Sequence, residues 1–568
     1  MSDPPARYSG ALELTWTNKH LRLLADENGA YEWVQPSDHR VAEVRLLDNV
    51  AAVGETLPDR DRAKDNLLIR GDALNALTSL SALPKFAAEL VGKVRLAYLD
   101  PPFNTQQSFL HYDDNLEHSV WLTMMRDRLI QIKKLLALNG SVWVHLDDGE
   151  MAYARVMLDE LFGRQNFIAT VVWQAADVPK STARHLSTDQ DYLLVYARDA
   201  DIWRPNKLAR TDAANEKYRN PDNDPRGPWM PGPLTANKPY SKGTYAIVAP
   251  SGKEHWPTPG TYWRFAQDRF EELDRDSRIW WGKSGDGRPL IKRYLAEVGE
   301  LIPRTWWPYQ DVGSTRNAKL EIKRLFPEVE PFATAKTERL LERVLRIGSE
   351  PGDIVLDCFL GSGTTAAVAQ KMDRRWIGIE RSRETLDRYA IPRLTRVVEG
   401  SDPGGITASA GWEGGAGFRI LDVAESMFHV DDGPVFLAEW ATNSRLSEAC
   451  AAQLRYDFEP EPPFTGRRGR ARLAVVDGLV NEDAVRLLVE NLPEDERLVV
   501  CGTAVDPAAR TLLRELRPGS SLRKIPASIL ADYRKARWMP RTRSTRAGGS
   551  GSVTAMTEGP EVPAARTR

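Results

Sequence analysis

Four consecutive residues, Asp100-Pro101-Pro102-Phe103, join a carboxylate, two prolines and an aromatic ring. Each proline fixes φ and removes an N–H donor. The two prolines therefore offer only carbonyl acceptors beside the carboxylate. Two acceptors can take both N–H bonds of an exocyclic amine while the ring stacks on the heterocycle that carries it. With both hydrogens engaged, the nitrogen lone pair can turn towards an electrophile. The plain alternative is a strand ending in a rigid turn, and on this segment alone the two readings stand level.

A second group, Asp357-Cys358-Phe359-Leu360-Gly361-Ser362-Gly363-Thr364, reads as a strand feeding a glycine turn and then a helix. Glycine removes the Cβ atoms that would keep a ligand from the backbone. Glu380 closes the next apolar run, 17 residues after Gly363. An acid there can accept hydrogen bonds from ribose hydroxyls. The same grammar serves NAD and S-adenosylmethionine, and a purely structural turn is an even alternative. Thr364-Thr365-Ala366 departs from the dinucleotide fingerprint.

Positioning these groups requires strands. Asn66–Arg70 is a short apolar run ending in Gly71-Asp72, followed by Leu74, Leu77 and Leu80 on one helical face. Val94–Leu99 is a buried strand stopped by Asp100. An amphipathic helix carries Trp121, Leu122, Met125, Leu129, Ile132 and Leu136, with Asn139-Gly140 expected as its end. Strands over Val142–Leu146, Phe167–Trp173 and Tyr192–Tyr196 and a helix over Met151–Phe162 come next. From Thr337 a helix with Leu340, Leu341, Val344 and Leu345 leads to strands ending at Asp357 and Glu380. Such alternation predicts an α/β fold with a mostly parallel sheet covered on both faces. Functional groups then gather at the carboxyl ends of strands, where Asp72 and Asp100 both fall.

Composition narrows the class. The chain has 568 residues, 42% hydrophobic and 27% charged, so it can bury several cores without disulfides. No apolar run approaches the roughly 18–20 residues of a membrane span, and residues 1–16 lack the basic flank and apolar core of a secretory signal. Cys358, Cys450 and Cys501 fit neither a CxxC pair nor a zinc ribbon, and with eight histidines in all, no metal is expected. Reduced thiols in a cytosolic protein are the simple expectation.

Charge and aromatics are uneven. Residues 201–320 hold eight of the 17 tryptophans, and 20 Lys and Arg against 15 Asp and Glu, in a chain whose net charge is −2. Cations neutralise phosphates and aromatic rings stack on bases. A loop-rich insert whose tryptophans form its own core is the competing reading, and most of the eight are expected to be core. Lys283–Arg288 and Arg316–Lys319 contain the candidate phosphate contacts. Arg467, Arg468 and Arg470 are weaker candidates, with a solvated loop twice as expected.

Together the motifs resemble the β class of amino-methylating DNA methyltransferases. Leu99-Asp100-Pro101-Pro102-Phe103-Asn104-Thr105 is similar to their catalytic motif, and Asp357–Thr365 to their cofactor motif, in the β-class order. Further blocks at Asn66–Asp72, His118–Leu122, Asp147-Asp148, Asp159–Gly163 with Asn166-Phe167, and Asp191–Tyr196 extend the likeness to the modification subunits of type III restriction–modification systems, over about 66–400.

The resemblance implies a Rossmann-like S-adenosylmethionine-dependent methyltransferase fold acting on the N6 amine of adenine in double-stranded DNA. Asp100 and the Pro101 carbonyl would hold the amine, Pro102 would stiffen the turn, and Phe103 would stack on the base. Phe359, Gly361 and Gly363 would line the methionine part of the cofactor, with Glu380 at its ribose and Asp72 at its adenine end, and Asp357, Ser362 and Thr364 would also bind it. Cys358 stands where many relatives have proline, and Ala335-Lys336-Thr337-Glu338 where they have Pro-Lys-Pro-Glu; cofactor binding is expected to survive both.

The expected organisation is an extension over 1–60, a catalytic part over 61–200, a target-recognition region over 201–320, a cofactor part over 321–400, a small C-terminal α/β domain over 401–540 and a disordered tail over 541–568. A homodimer, a restriction or helicase subunit as partner, and a bacterial cytoplasmic protein working on the nucleoid complete the expectation. Alternatives are an N4-cytosine enzyme, whose motif usually has Ser before the prolines, an adenine enzyme without a restriction partner, a nicotinamide-dependent oxidoreductase, and a non-catalytic DNA-binding module.

Overall fold

The computed structural model describes residues 12–25, 31–103, 108–109, 112–113, 117–181, 183–431 and 433–535. Asn104, Thr105 and the tail from 541 lie outside them. Ten strands form the main sheet: β1 (Leu47–Gly54), β2 (Asn66–Arg70), β3 (Val94–Leu99), β4 (Leu136–Leu146), β5 (Phe167–Gln174), β6 (Gln190–Ala197), β7 (Trp306–Trp307), β8 (Ile354–Asp357), β9 (Arg375–Glu380) and β10 (Gly417–Val423). Their order is β7-β5-β6-β4-β3-β8-β9-β2-β10-β1. Six of the nine pairings are parallel, so the α/β class follows from the sheet itself. The antiparallel pairs are β4–β6, β5–β6 and β1–β10.

The apolar runs follow from this burial. In β2, Leu67 and Ile69 face one core and Leu68 the other, all with no exposure. The first core packs α1 (Ala73–Ala82), α2 (His118–Leu135) and α3 (Met151–Phe162) on the sheet. On the other side lie α5 (Glu338–Gly348) and α6 (Thr364–Lys371), with α4 (Thr315–Leu325) next to them in sequence. The chain leaves β3 for β4 in one direction and β8 for β9 in the other. Between β3 and β8 the sheet therefore has a topological switch point, where a crevice opens at the strand carboxyl ends.

Three details differ from the expectations. Asn139-Gly140 does not end α2: the helix stops at Leu135 and β4 begins at once. The pair lies inside β4 where the register with β3 shifts, and a Cβ at Gly140 would sit 2.8 Å from the Val94 carbonyl oxygen. This glycine serves strand irregularity and close approach. Residues 47–54, read as part of an extension, form the edge strand β1, whose mostly exposed side chains give no alternation to read. Residues 417–423 form β10, inserted between β2 and β1 and tied by the Arg419–Asp65 and Arg70–Asp422 ion pairs.

A second sheet orders β11 (Asp457–Glu461), β12 (Phe464–Arg468), β13 (Ala471–Val480), β14 (Arg497–Val505) and β15 (Ser521–Lys524). Its last three strands are parallel, joined by α7 (Glu482–Glu490) and α8 (Pro507–Leu516). All three cysteines are free and buried.

Between β6 and β7 the chain builds short strands, the three-stranded piece pairing Leu290–Tyr294 with Trp229–Pro233 and Ile279–Trp280. Of its tryptophans, Trp203, Trp229, Trp263, Trp281 and Trp307 are buried, while Trp256 and Trp306 are 54% and 51% exposed. Most are thus core.

Candidate active site

Asp100 emerges directly from β3, whose last four residues are fully buried. The turn it begins is pinned from α2: the Trp121 indole N–H donates to the Pro102 carbonyl at 2.7 Å. Among the described residues no donor reaches the Pro101 carbonyl, which leaves that acceptor beside the carboxylate. Phe103 leans on His145, with ring centroids 5.6 Å apart. His145 is itself locked, Nδ1 2.7 Å from the Tyr98 hydroxyl and Nε2 3.2 Å from Asp191 Oδ2. The aromatic wall is therefore set by a buried polar chain, and an unmade bond in it would be costly.

Asp357 ends β8, next to β3 in the sheet, and its Oδ1 accepts the Phe359 N–H at 2.9 Å. The backbone then turns through Gly361 at φ +53° and Gly363 at φ +81° into α6. A Cβ at Gly361 would stand 3.3 Å from the Phe332 ring, which lines the cavity. Gly363 has a different reason: its Cβ would meet Ala390 at 3.3 Å, so this glycine is needed for packing and for its left-handed backbone. It does not line the cavity, contrary to the expectation that ligand meets backbone there.

One cavity brings the two motifs together. Asp100, Pro101, Pro102 and Phe103 line it together with Asp357, Phe359, Gly361, Ser362 and Thr364. Glu380 and Asp72 are not in its lining. The Glu380 carboxylate sits behind the turn, accepting the Gly361 N–H at 2.9 Å and the Ser382 N–H at 2.8 Å. Asp72 caps α1 through Leu74 and Asn75, and its other oxygen is 2.8 Å from Arg128. Each carboxylate keeps further lone pairs, but both already have a structural task.

One carboxyl of the cavity is left without a cationic partner among the described residues. Burial, reinforced by the neighbouring Asp100 and Glu380 carboxylates and opposed by hydrogen bonds from Thr365 and Phe359, pushes Asp357 up to about 7. Among the described residues no cation is paired with it. Burial also pushes the Cys358 thiol far up, so this cysteine is an inert core residue. A glycine cradle that a Cβ would fill, next to an under-compensated acid, fits a ligand carrying positive charge.

Four lining or supporting residues were absent from the sequence-derived site. Tyr98 lies in an apolar run that reads only as core, Phe332 in a stretch between two glutamates and a lysine that shows no periodicity, and His145 sits inside the β4 run. Lys336 was visible as part of Ala335–Glu338, yet nothing local shows that its Nζ reaches Asp100, at 2.8 and 2.6 Å from the two carboxylate oxygens.

In the insert, Arg288 donates to the Trp256 carbonyl and lies 5.4 Å from the Trp263 ring centroid. Lys283 and Lys319 are exposed. Arg316 is mostly exposed and approaches Asp177 at 3.6 Å, whereas Asn317 completes the capping box of α4 and Ala318 is buried.

The family model N6_N4_Mtase, described as DNA methylase, matches residues 94–391. The StyLTI Mod subunit of a type III restriction–modification enzyme from Salmonella typhimurium is 27% identical over 59% of this chain and 57% of its own length. The probable HindVI Mod subunit from Haemophilus influenzae is 29% identical over 66% of this chain and 56% of its own. The type II methyltransferase M.EcaI from Enterobacter cloacae is 28% identical over 59% and 72%. The matched part of the chain thus spans little more than half of each Mod subunit. Among solved structures, a putative DNA modification methylase from Thermus thermophilus, complexed with S-adenosyl-L-methionine, is 16% identical over 63% of this chain and all of its own, with a TM-score of 0.31. A superposition that loose adds nothing to the strand order described above.

Proposed function

The chain belongs to the DNA methylase family whose model spans its residues 94–391, and we propose that it methylates the N6 amine of adenine at specific sites in duplex DNA, using S-adenosylmethionine. The observation that carries the reading is the single cavity shared by the Asp100 turn and the Gly361 turn. S-adenosylmethionine, when bound, supplies a methyl group made electrophilic by its sulfonium. Asp357, Phe359, Gly361, Ser362 and Thr364 would hold its methionine part, with Gly363 setting the turn. Glu380 would accept from the ribose hydroxyls and Asp72 would lie towards the adenine end.

Asp100 and the Pro101 carbonyl accept the two N–H bonds of the target amine and so aim its lone pair at the methyl group. As the new N–C bond forms and the C–S bond breaks, one amine proton must leave. The Asp100 carboxylate is the base already in contact with it. Phe103, braced by His145 and stiffened by Pro102, stacks on the base. A carboxylate before the prolines, where N4-cytosine enzymes usually have Ser, supports adenine.

Residues 201–320 serve target recognition in this reading, and a Mod-like role would add a restriction subunit and a second copy of this chain as partners. Among the described residues no helix is long and apolar enough to cross a membrane, and the substrate places the protein with cytoplasmic DNA. The test is methylation of unmodified genomic DNA by the purified protein, followed by digestion and mass spectrometry. N6-methyladenine is expected. N4-methylcytosine alone would overturn the adenine assignment, and no methylated base at all would overturn the function.

A further inference from the structure

Within the cavity the features that the target base needs are already taken by one side chain. Lys336 Nζ lies 2.8 and 2.6 Å from the two Asp100 oxygens, 3.3 Å from the Thr334 carbonyl and 5.0 Å from the centroid of the Phe103 ring. An ammonium and an exocyclic amine are the same kind of donor to a carboxylate, and a cation and a base compete for the same aromatic face. Both cannot be present. We propose that Lys336 is a placeholder for the target amine: its ammonium fills the Asp100 site until a base arrives, swings aside during transfer, and returns to displace the product. The proposal rests on the reading of Asp100 as the amine acceptor.

The surroundings explain why a placeholder is useful and how it moves. Asp100, Asp357 and Glu380 are close enough for the first and last to raise the proton affinity of the second. Lys336 neutralises one member of this acidic group while nothing is bound. Its backbone cannot withdraw. Ala335 and Thr337 are buried, Thr337 Oγ1 donates to the Val312 carbonyl at 2.5 Å, and the Glu338 N–H donates to Glu321 at 3.0 Å. The Glu338 carboxylate is clamped by Lys371 and Arg393. Motion is left to the side chain, and lysine is suited to it: a point charge on a flexible stem, without the rigid two-pronged grip of arginine.

Product release follows from the donor count. An adenine amine offers two N–H bonds, a methylated one offers a single N–H, and the ammonium offers three. The returning lysine is therefore a better partner for Asp100 than the product is.

A placeholder behaves differently from a residue that merely supports Asp100 with positive charge. Arginine would rescue a charge support. It would aggravate a placeholder, because a guanidinium fork grips both carboxylate oxygens. The experiment uses the full-length protein, unmodified and fully methylated genomic DNA, and radiolabelled S-adenosylmethionine. For Lys336→Met the KM for DNA is expected to fall several-fold, and inhibition by methylated DNA to strengthen several-fold. For Lys336→Arg the KM for DNA is expected to rise at least several-fold, with cofactor affinity unchanged by isothermal titration in both variants. Loss of activity in Lys336→Met restored by Lys336→Arg overturns the placeholder while leaving the amine site intact. A shift in cofactor affinity as large as the shift in KM also overturns it, by assigning the ammonium to the cofactor. If the unaltered protein methylates no amino group in DNA, the functional reading fails instead.

Discussion

Asp357 and Asp224 are both buried, at 2% and 7% exposure, and their environments are opposite. Asp224 anchors the insert. Arg226, Lys292 and the Tyr294 hydroxyl all donate to it, at 2.7–3.0 Å, and these bonds, Arg226's foremost, hold its carboxyl well below the usual carboxylate range. Asp357 lines the cavity of the main sheet, where burial, reinforced by the neighbouring Asp100 and Glu380 carboxylates, pushes its carboxyl up to about 7. The difference separates a scaffold from a site. A scaffold satisfies its buried charges internally, whereas a binding site leaves charge uncompensated until the ligand supplies it.

The largest effect expected from this contrast is at the scaffold. Asp224→Ala removes the carboxylate shared by Arg226, Lys292 and the buried Tyr294 hydroxyl, leaving Lys292 with Asp222 alone, and should cost roughly 3–5 kcal/mol by the measure of a broken buried pair. Thermal unfolding and hydrogen exchange should place the loss in residues 201–305, with cofactor binding retained. A uniform loss across the main sheet would contradict the division. The sign with pH follows: Asp224, lowered on folding, stabilises above about pH 4, and that contribution disappears as the pH falls towards its folded value.

Asp100→Ala should lower methyl transfer by ~10²–10³-fold, on the scale of removing one preorganised hydrogen-bonding group. Calorimetry should find cofactor binding largely kept, because Asp100 belongs to the turn after β3 and not to the Gly361 turn after β8. Near-normal transfer would remove Asp100 from the chemistry.

An adenine amine in duplex DNA is paired and stacked, so it must leave the stack to reach this cavity. Phe103 then contributes roughly 1–3 kcal/mol of stacking. Phe103→Ala should slow transfer by about ten-fold or more, and Phe103→Tyr should keep most of it. Fluorescence of 2-aminopurine at the mapped target position should rise on binding. Silence there at saturating protein would rule out flipping.

The smallest effect concerns Asp357. Its folded value lies above its unfolded one, so it favours the fold most at low pH, and that contribution is lost as pH rises from about 4 through about 7. Binding of a cationic cofactor should follow the reverse course. Affinity should rise at most about ten-fold between pH 6 and 8, with proton release on binding, and Asp357→Asn should flatten the profile. An unchanged profile in that variant would assign the titration to another group.

Much of this was legible in the sequence because it is local. Buried central strands read as continuous apolar runs, and the Asp100 and Gly361 turns carry their own backbone constraints in adjacent residues. Edge strand β1, with most of its side chains exposed, has no such signature, and Asn139-Gly140 is ambiguous between a helix end and a strand irregularity until the partner strand is known.

The sequence by itself determined which residues could accept an amine and cradle a cofactor, and the alternation of strands and helices that carries them. Tertiary structure alone decided that Asp72 caps a helix and binds Arg128, that Gly363 serves packing, and that Lys336 crosses 236 residues of chain to meet Asp100. Ion pairs depend on where side chains end in space. No periodicity along the chain encodes a meeting between two loops that only the assembled sheet brings within hydrogen-bonding reach.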